Sequence, residues 1–285
     1  MNVNSQPLVP TSVKNWLDYA TGQLIVCDID SASLDAELIL ANELGVDRTY
    51  LHAHYDDLID KKIIFNANNK LSQRLKRIPL AYIYSQKEFY GRNFQVSTDT
   101  LIPRPESEQM IECLKELFTA SKLNISNSLK LIDIGTGCGA LGITAKLEFP
   151  TLRVTLTDIS LPALNIAKIN SKKMSADVTL IQSDLLENYN HTPDIILANL
   201  PYVSPDWSYL KDIDYEPALA LYADNDGKEL IEKLLIQVSK KLKNNGFILI
   251  EADPCQHGSL IEYAAKLSLK KYSQSGYIIS FKKVI

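Results

Sequence analysis

Leu129-Lys130-Leu131-Ile132-Asp133-Ile134 runs straight into Gly135-Thr136-Gly137-Cys138-Gly139-Ala140-Leu141-Gly142, and an apolar stretch from Ile143 to Leu147 follows. A strand, a glycine loop and a helix in that order form the opening unit of a nucleotide-binding α/β domain. Gly135 allows the tight turn, while Gly137 and Gly139 let the backbone approach a ligand closely. Thr136 and Cys138 lie between them, and the helix N-terminus adds free N–H groups.

The alternation of strand and helix continues from there. Val154-Thr155-Leu156-Thr157 ends at Asp158, roughly twenty residues past the loop, where an acid holds ribose hydroxyls. A helix over about Leu161 to Met174 leads to Val178-Thr179-Leu180-Ile181, which ends near Ser183-Asp184-Leu185. Asp184 can bond an adenine amino group and Leu185 can pack on its ring; an ordinary loop aspartate is the other reading. A fourth strand, Ile195 to Ala198, an amphipathic helix from Leu230 to Leu242 and a fifth strand, Gly246 to Glu251, come next. A helix from Leu260 to Leu267 and a last strand, Tyr277 to Phe281, close the chain. This pattern predicts a Rossmann-like, mostly parallel sheet with helices.

The fourth strand stops in Asn199-Leu200-Pro201-Tyr202, since proline cannot donate to a ladder. An open α/β sheet places its ligand crevice at that end of its strands. There the Asn199 oxygen and a main-chain carbonyl of Leu200 or Pro201 can accept both hydrogens of a planar NH2 group, with the Tyr202 ring over its face. The plainer reading is a strand ending in a proline turn with Asn as a cap.

A glycine loop followed by an acid fits two cofactors. Gly135-x-Gly137-x-x-Ala140 matches the loose dinucleotide form. Asp133, just before the loop, suits the cationic amino acid tail of S-adenosylmethionine better than a pyrophosphate. The Asn199 segment suits a methyl acceptor and has no role in hydride transfer, so adenosylmethionine is favoured.

Upstream the texture differs. Residues from about Ser12 to Leu80 read as helical: Leu34, Leu38 and Leu40-Ala41 recur at helical spacing, Gly45 ends that helix, and a second periodic stretch runs from Ala67 through Leu71 to Leu75. The expected division is a helical-bundle domain over 1–84, a hairpin and linker over 85–108, and the cofactor-binding domain over 109–285. Glu88 to Val96 alternates around Gly91 as a β-hairpin. In Leu101-Ile102-Pro103-Arg104-Pro105-Glu106-Ser107-Glu108 two prolines fix an extended segment, and a helix with Met110, Ile111, Leu114 and Leu117 on one face follows.

The 285 residues carry a net charge of -4, which weighs against general nucleic-acid binding. Cys27, Cys113, Cys138 and Cys255 show no metal-ligand spacing, and His52 with His54 lacks further ligands, so no metal is expected. With neither a signal peptide nor a membrane-spanning run, the expected compartment is the cytoplasm with reduced thiols.

The glycine loop, Asp158 and the Asn199 segment resemble class I adenosylmethionine-dependent methyltransferases acting on planar nitrogen. Pro79-Leu80-Ala81-Tyr82-Ile83 with Glu88-Phe89-Tyr90-Gly91, the Arg104-Pro105-Glu106 segment, and Glu216-Pro217-Ala218-Leu219-Ala220-Leu221 with Gly227 are similar to the PrmC/HemK family. That resemblance implies methylation of the glutamine side-chain amide in the Gly-Gly-Gln motif of class 1 peptide chain release factors. It also implies that Phe94, Arg104 and Glu106 line the cofactor pocket, with Asp184 and Leu185 near the adenine, and that the helical domain grips the substrate. A monomer is expected, because the release factor would itself cover the site. Departures from the family are Leu200 in place of its first proline in Asn-Pro-Pro-Tyr, Ser85 and Asp253. Asn-Leu-Pro-Tyr is what ribosomal RNA adenine dimethyltransferases carry. Methylation of adenine or of another glutamine protein therefore stands as an alternative, as does non-catalytic binding of adenosylmethionine.

Overall fold

The computed structural model describes residues 11–120, 128–207 and 215–284. The chain divides into two units between Ser85 and Gln86, and Tyr215 belongs to the first. The hairpin expected in a linker is thus part of the second unit.

The first unit holds α1 (Val13–Val26), α2 (Ala32–Leu44), α3 (Arg48–Ala53), α4 (Lys61–Arg74) and α5 (Leu80–Ile83). Ser12 and Asp60 cap α1 and α4 by accepting from backbone N–H groups, and Gly45 ends α2 in the left-handed region at φ 69°. Of the expected stripe on α2 the buried face keeps only Leu40 and Ala41. Leu34 and Leu38 are 41% and 39% exposed, whereas Ala32, Ala36, Ile39 and Leu40 are buried. A stripe drawn through Leu34 and Leu38 misses the face on which Ala36 and Ile39 pack into the core of this unit. Asp35 shares that buried face because it meets Arg74 Nε at 2.6 Å. A carboxylate is tolerated in a core when it is paired in this way. The Trp16 indole fills the centre and donates to Asn68 Oδ1 at 2.9 Å.

The second unit opens with a hairpin, β1 (Gln86–Phe89) and β2 (Arg92–Gln95). Its two turn residues, Tyr90 and Gly91, both take positive φ, the geometry that matches strand twist. After α6 (Glu108–Ala120) come β3 (Lys130–Ile134), α7 (Ala140–Glu148), β4 (Arg153–Asp158), α8 (Leu161–Lys173), β5 (Val178–Gln182) and β6 (Ile195–Ala198). The distorted turn α9 (Asp224–Gly227) precedes α10 (Glu229–Lys241), β7 (Phe247–Glu251), α11 (His257–Ala265), β8 (Leu269–Ser275) and β9 (Ile278–Lys283). The sheet order is β5-β4-β3-β6-β7-β9-β8, parallel from β5 to β7 and antiparallel at β9 and β8. The expected helix face of α6 is buried: Met110, Ile111, Leu114 and Leu117.

β8 escapes sequence reading because it is a largely exposed edge strand, Leu-Lys-Lys-Tyr-Ser-Gln-Ser, with no apolar alternation. Its lysines suit an edge that resists pairing with other chains. The chain leaves β3 toward β4 and β5, then returns to lay β6 on the other side of β3. The carboxyl ends of β3 and β6 therefore flank the switch point where such sheets bind ligands.

Candidate active site

Asp133 stands near the end of β3, buried, with Oδ2 accepting from Thr136 Oγ1 at 2.5 Å and from Gly142 N at 2.9 Å. Gly142 must be glycine: a Cβ would lie 2.2 Å from Leu156 Cδ2 and 2.9 Å from Asp133 Oδ2. Asp133 Oδ1 is buried without a hydrogen-bond partner. Burial pushes this carboxyl up to about 6; the bonds from Thr136 and Gly142 oppose that rise, and nearby Asp158 adds to it. A half-satisfied buried carboxylate on a cavity wall is complementary to a cationic donor.

That cavity measures about 300 Å³ and is bordered by Asp133, Gly135 to Cys138, Asp158, Asp184, Leu185 and Asn199 to Pro201. At the end of β4, Asp158 accepts from Gly137 N and Ser160 N, each at 2.9 Å. The acid thereby ties the glycine loop to the start of α8. Burial pushes its carboxyl upward as well. Gly139 lies behind the loop as the N-terminal cap of α7, not on the cavity wall. Cys138 is a buried thiol pushed up to about 12 by burial, a packing group and not a nucleophile. Sequence reading missed Asn170 on α8. Its side chain bonds Gln95 N, Gln95 O and Cys138 O at 2.7, 2.9 and 2.8 Å, fastening the hairpin to the glycine loop.

Asp184 and Leu185 lie at another wall of the cavity. Asp184 Oδ2 meets Lys233 Nζ at 2.6 Å, so its carboxylate is ion-paired to α10. Leu185 is buried in the left-handed region at φ 49°, an uncommon backbone for a leucine.

At the end of β6, Asn199 Nδ2 donates to Ser107 Oγ at 3.0 Å. The Leu200 side chain is buried in the core of the unit, and its Cδ2 lies 2.9 Å from the Cβ position of Gly135. Apolar packing thus seats the residue that replaces the family's proline. The Tyr202 hydroxyl donates to Glu251 Oε1 at 3.2 Å, and Gln256 Nε2 donates to Tyr202 O at 2.9 Å and to Asp226 O at 2.7 Å. Gly227, at φ 78°, lets this clamp close, for a Cβ there would sit 1.9 Å from Tyr202 O. The Tyr202 carbonyl is taken by Gln256, which leaves those of Leu200 and Pro201 as acceptors for a ligand. Tyr202 itself is not on the cavity wall.

Three residues expected in the cofactor pocket lie elsewhere. Phe94 is fully buried edge-on against Phe89, and it is Phe89 that borders the cavity. Arg104 pairs with Glu216, whose other oxygen accepts from Ile102 N at 3.0 Å. Glu106 is exposed and does not line the cavity. The prolines extend this segment so that Leu101, Pro103 and Ser107 face the cavity, while Arg104 turns to the Glu216 carboxylate in a charge-assisted hydrogen bond. Among the described residues no group of His, Cys, Asp and Glu is placed to hold a metal, and no helix is long and apolar enough to cross a membrane.

Residues 15–84 match the model of the PrmC N-terminal domain, and residues 109–210 that of the methyltransferase small domain. Among solved structures, a methyltransferase from Pyrococcus furiosus superposes with a TM-score of 0.51 at 19% identity, covering 75% of this chain and 100% of that one. The hMettl16 catalytic domain gives 0.53 at 15% identity, covering 76% and 80%. Sheet order, switch-point cavity and these likenesses define a class I methyltransferase fold. The release factor glutamine methyltransferase of Koribacter versatilis is 35% identical over 85% of this chain and 89% of its own length. That of Leptospira interrogans is 33% identical over 94% of each. That of Bacillus subtilis is 33% identical over 76% and 77%. The chain belongs to the release factor glutamine methyltransferase family.

Proposed function

We propose that this protein methylates the side-chain amide nitrogen of the glutamine in the Gly-Gly-Gln motif of class 1 peptide chain release factors, with S-adenosylmethionine as methyl donor. The observation that carries this reading is the orientation of Asn199. Its NH2 is spent on Ser107, so Oδ1 is left to accept from an incoming amide at the mouth of the switch-point cavity.

The residues present fit the donor. Asp133, with one buried oxygen lacking a partner, would hold the cationic amino group, and Asp158 the ribose hydroxyls. Leu185 gives an apolar wall for the adenine, and Asp184 lies beside it. When bound, the cofactor supplies a sulfonium methyl whose bonding pair stays on sulfur as the methyl leaves.

An amide nitrogen is a weak nucleophile because its lone pair is delocalised. Asn199 Oδ1 and the carbonyl of Leu200 or Pro201 take its two N–H bonds and hold the lone pair on line. Alignment of this kind can supply several kcal/mol, up to about 10 in ideal cases. As the nitrogen gains positive character, the same acceptors hold it more strongly, which stabilises the transition state. The Tyr202 ring shields the amide plane, and the proton leaves to water. We read the helical unit as the platform for the release factor and the chain as a monomer in the cytoplasm.

The test is incubation with labelled adenosylmethionine and a matched release factor, followed by mass spectrometry of the Gly-Gly-Gln peptide. One added methyl on that glutamine is expected. Label in ribosomal RNA or another protein instead would keep the fold and move the acceptor.

A further inference from the structure

Gln256 stands at the N-cap of α11 and is buried, yet its side chain spends nothing on the helix it precedes. A polar N-cap ordinarily accepts from the first helical N–H groups. Here Oε1 accepts from Asp253 N at 3.0 Å instead, and Nε2 donates to Tyr202 O at 2.9 Å and to Asp226 O at 2.7 Å. A main-chain N–H only donates and a carbonyl only accepts, so these partners allow one orientation of the amide and use both of its N–H bonds. Three segments remote in sequence meet on this side chain: the loop after β6, the turn before α10 and the loop after β7.

The turn needs such a partner. Asn225, Asp226 and Gly227 all take positive φ, at 55°, 53° and 78°. A run of left-handed residues is disfavoured for side chains other than glycine, so contacts from outside must hold it. Gln256 holds its middle carbonyl, and Asn225 Nδ2 donates to Glu232 Oε2 at 3.0 Å. The turn thereby lays Gly227 against the Tyr202 carbonyl. The peptide that follows Tyr202 is held at its nitrogen as well, where Val203 N donates to Leu221 O at 3.1 Å.

We propose that Gln256 is a positioning residue for methyl transfer: by taking the Tyr202 carbonyl it fixes the backbone that presents the Leu200 and Pro201 carbonyls to the acceptor amide. The inference rests on the reading of the Asn199 segment as the acceptor clamp. The Leu200 side chain is seated in the core, and the ring of Pro201 fixes its φ. The Tyr202 peptide is then the downstream anchor of the segment. Without Gln256, two carbonyls lose their donor, the left-handed turn relaxes and the Tyr202 peptide can rotate. The acceptor nitrogen is then held off line from the methyl group. Gln256 does not border the cavity, so the cofactor keeps its own partners.

The experiment compares full-length wild type with Gln256→Met and Gln256→Glu, using a release factor and adenosylmethionine below the melting temperature of each protein. Gln256→Met removes all three bonds. Gln256→Glu keeps the shape and the bond from Asp253 N, but when ionised it has no proton for either carbonyl. Calorimetry gives cofactor affinity and the number of cofactor-binding sites, and kcat is expressed per site. Both variants are expected to lower kcat by about ten- to a hundredfold, the range for a reacting group displaced by about 1 Å. The KM for the release factor and the cofactor affinity should stay within about threefold of wild type. A merely structural role would instead lower the number of binding sites and leave kcat per site unchanged. Should Gln256→Met fail to fold, Gln256→Glu carries the comparison. Unchanged kcat per site in a folded variant, or a fall matched by loss of cofactor affinity, would overturn the inference alone. A wild type that binds adenosylmethionine but methylates no release factor would overturn the reading on which it rests, and the inference with it.

Discussion

In the proposed function Asn199 and Asp133 have different roles, and substitution should separate them. Asn199→Ala would remove the oxygen proposed to align the acceptor and leave in place Asp133 and Asp158, the polar partners proposed for the cofactor. We expect kcat to fall by about 10²- to 10³-fold with adenosylmethionine affinity nearly unchanged, read from steady-state kinetics and calorimetry. Equal losses in rate and affinity would remove Asn199 from the acceptor site. Asp133 is read through pH. Burial penalises its charge and pushes its carboxyl from the ordinary 3.8 up to about 6. Protonated Asp133 therefore favours the fold fully below the ordinary value, and that contribution is lost as pH rises through about 6. Above it, the buried charge is a cost that a bound ammonium group offsets. Cofactor affinity should accordingly rise from about pH 5 to about pH 7, and Asp133→Asn should abolish the slope. A slope that survives in Asp133→Asn would place the titrating group elsewhere.

Between residues and whole fold stand the segments that carry no chemistry themselves yet shape the cavity. The extended Leu101–Ser107 stretch is held by Glu216, which takes Ile102 N and the Arg104 guanidinium. Glu216's side chain is 2% exposed, so Arg104→Ala would strand a buried carboxylate. A loss of about 2–4 kcal/mol is expected, visible in thermal unfolding, and cofactor affinity should fall because Leu101 and Pro103 line the cavity. A variant with unaltered melting and binding would mean that the prolines hold the segment without the ion pair. The loop after β6 is fixed in a similar way, by Gln256 on the Tyr202 carbonyl and by the space Gly227 leaves. Prolines, glycines and the match to Arg-Pro-Glu were all legible in the chain. The partner of Arg104 was not, for Glu216 lies 112 positions away and nothing local marks it.

Across the whole molecule, every described residue bordering the cavity lies at Phe89 or beyond, within the second unit. A fragment that begins at Gln86 should therefore keep most of its adenosylmethionine affinity while losing methylation of the release factor, as measured by calorimetry and peptide mass spectrometry. Full transfer activity in that fragment would remove the helical unit from substrate recognition. Sequence by itself determined the alternation of strand and helix, the glycine loop, the acids at 133 and 158, and the Asn199 segment, because each is written in neighbouring residues as period, turn chemistry or strand end. Tertiary structure alone decided the rest. Asp35 is buried because Arg74 meets it from another helix, and Phe94 lies behind Phe89 because of hairpin packing. The polar edge strand β8 exists because β9 supplies its ladder. The Asn199 amide is bonded to Ser107, 92 positions away along the chain. Local periodicity reports what a segment buries, whereas the partners of a buried charge are chosen only when remote segments meet.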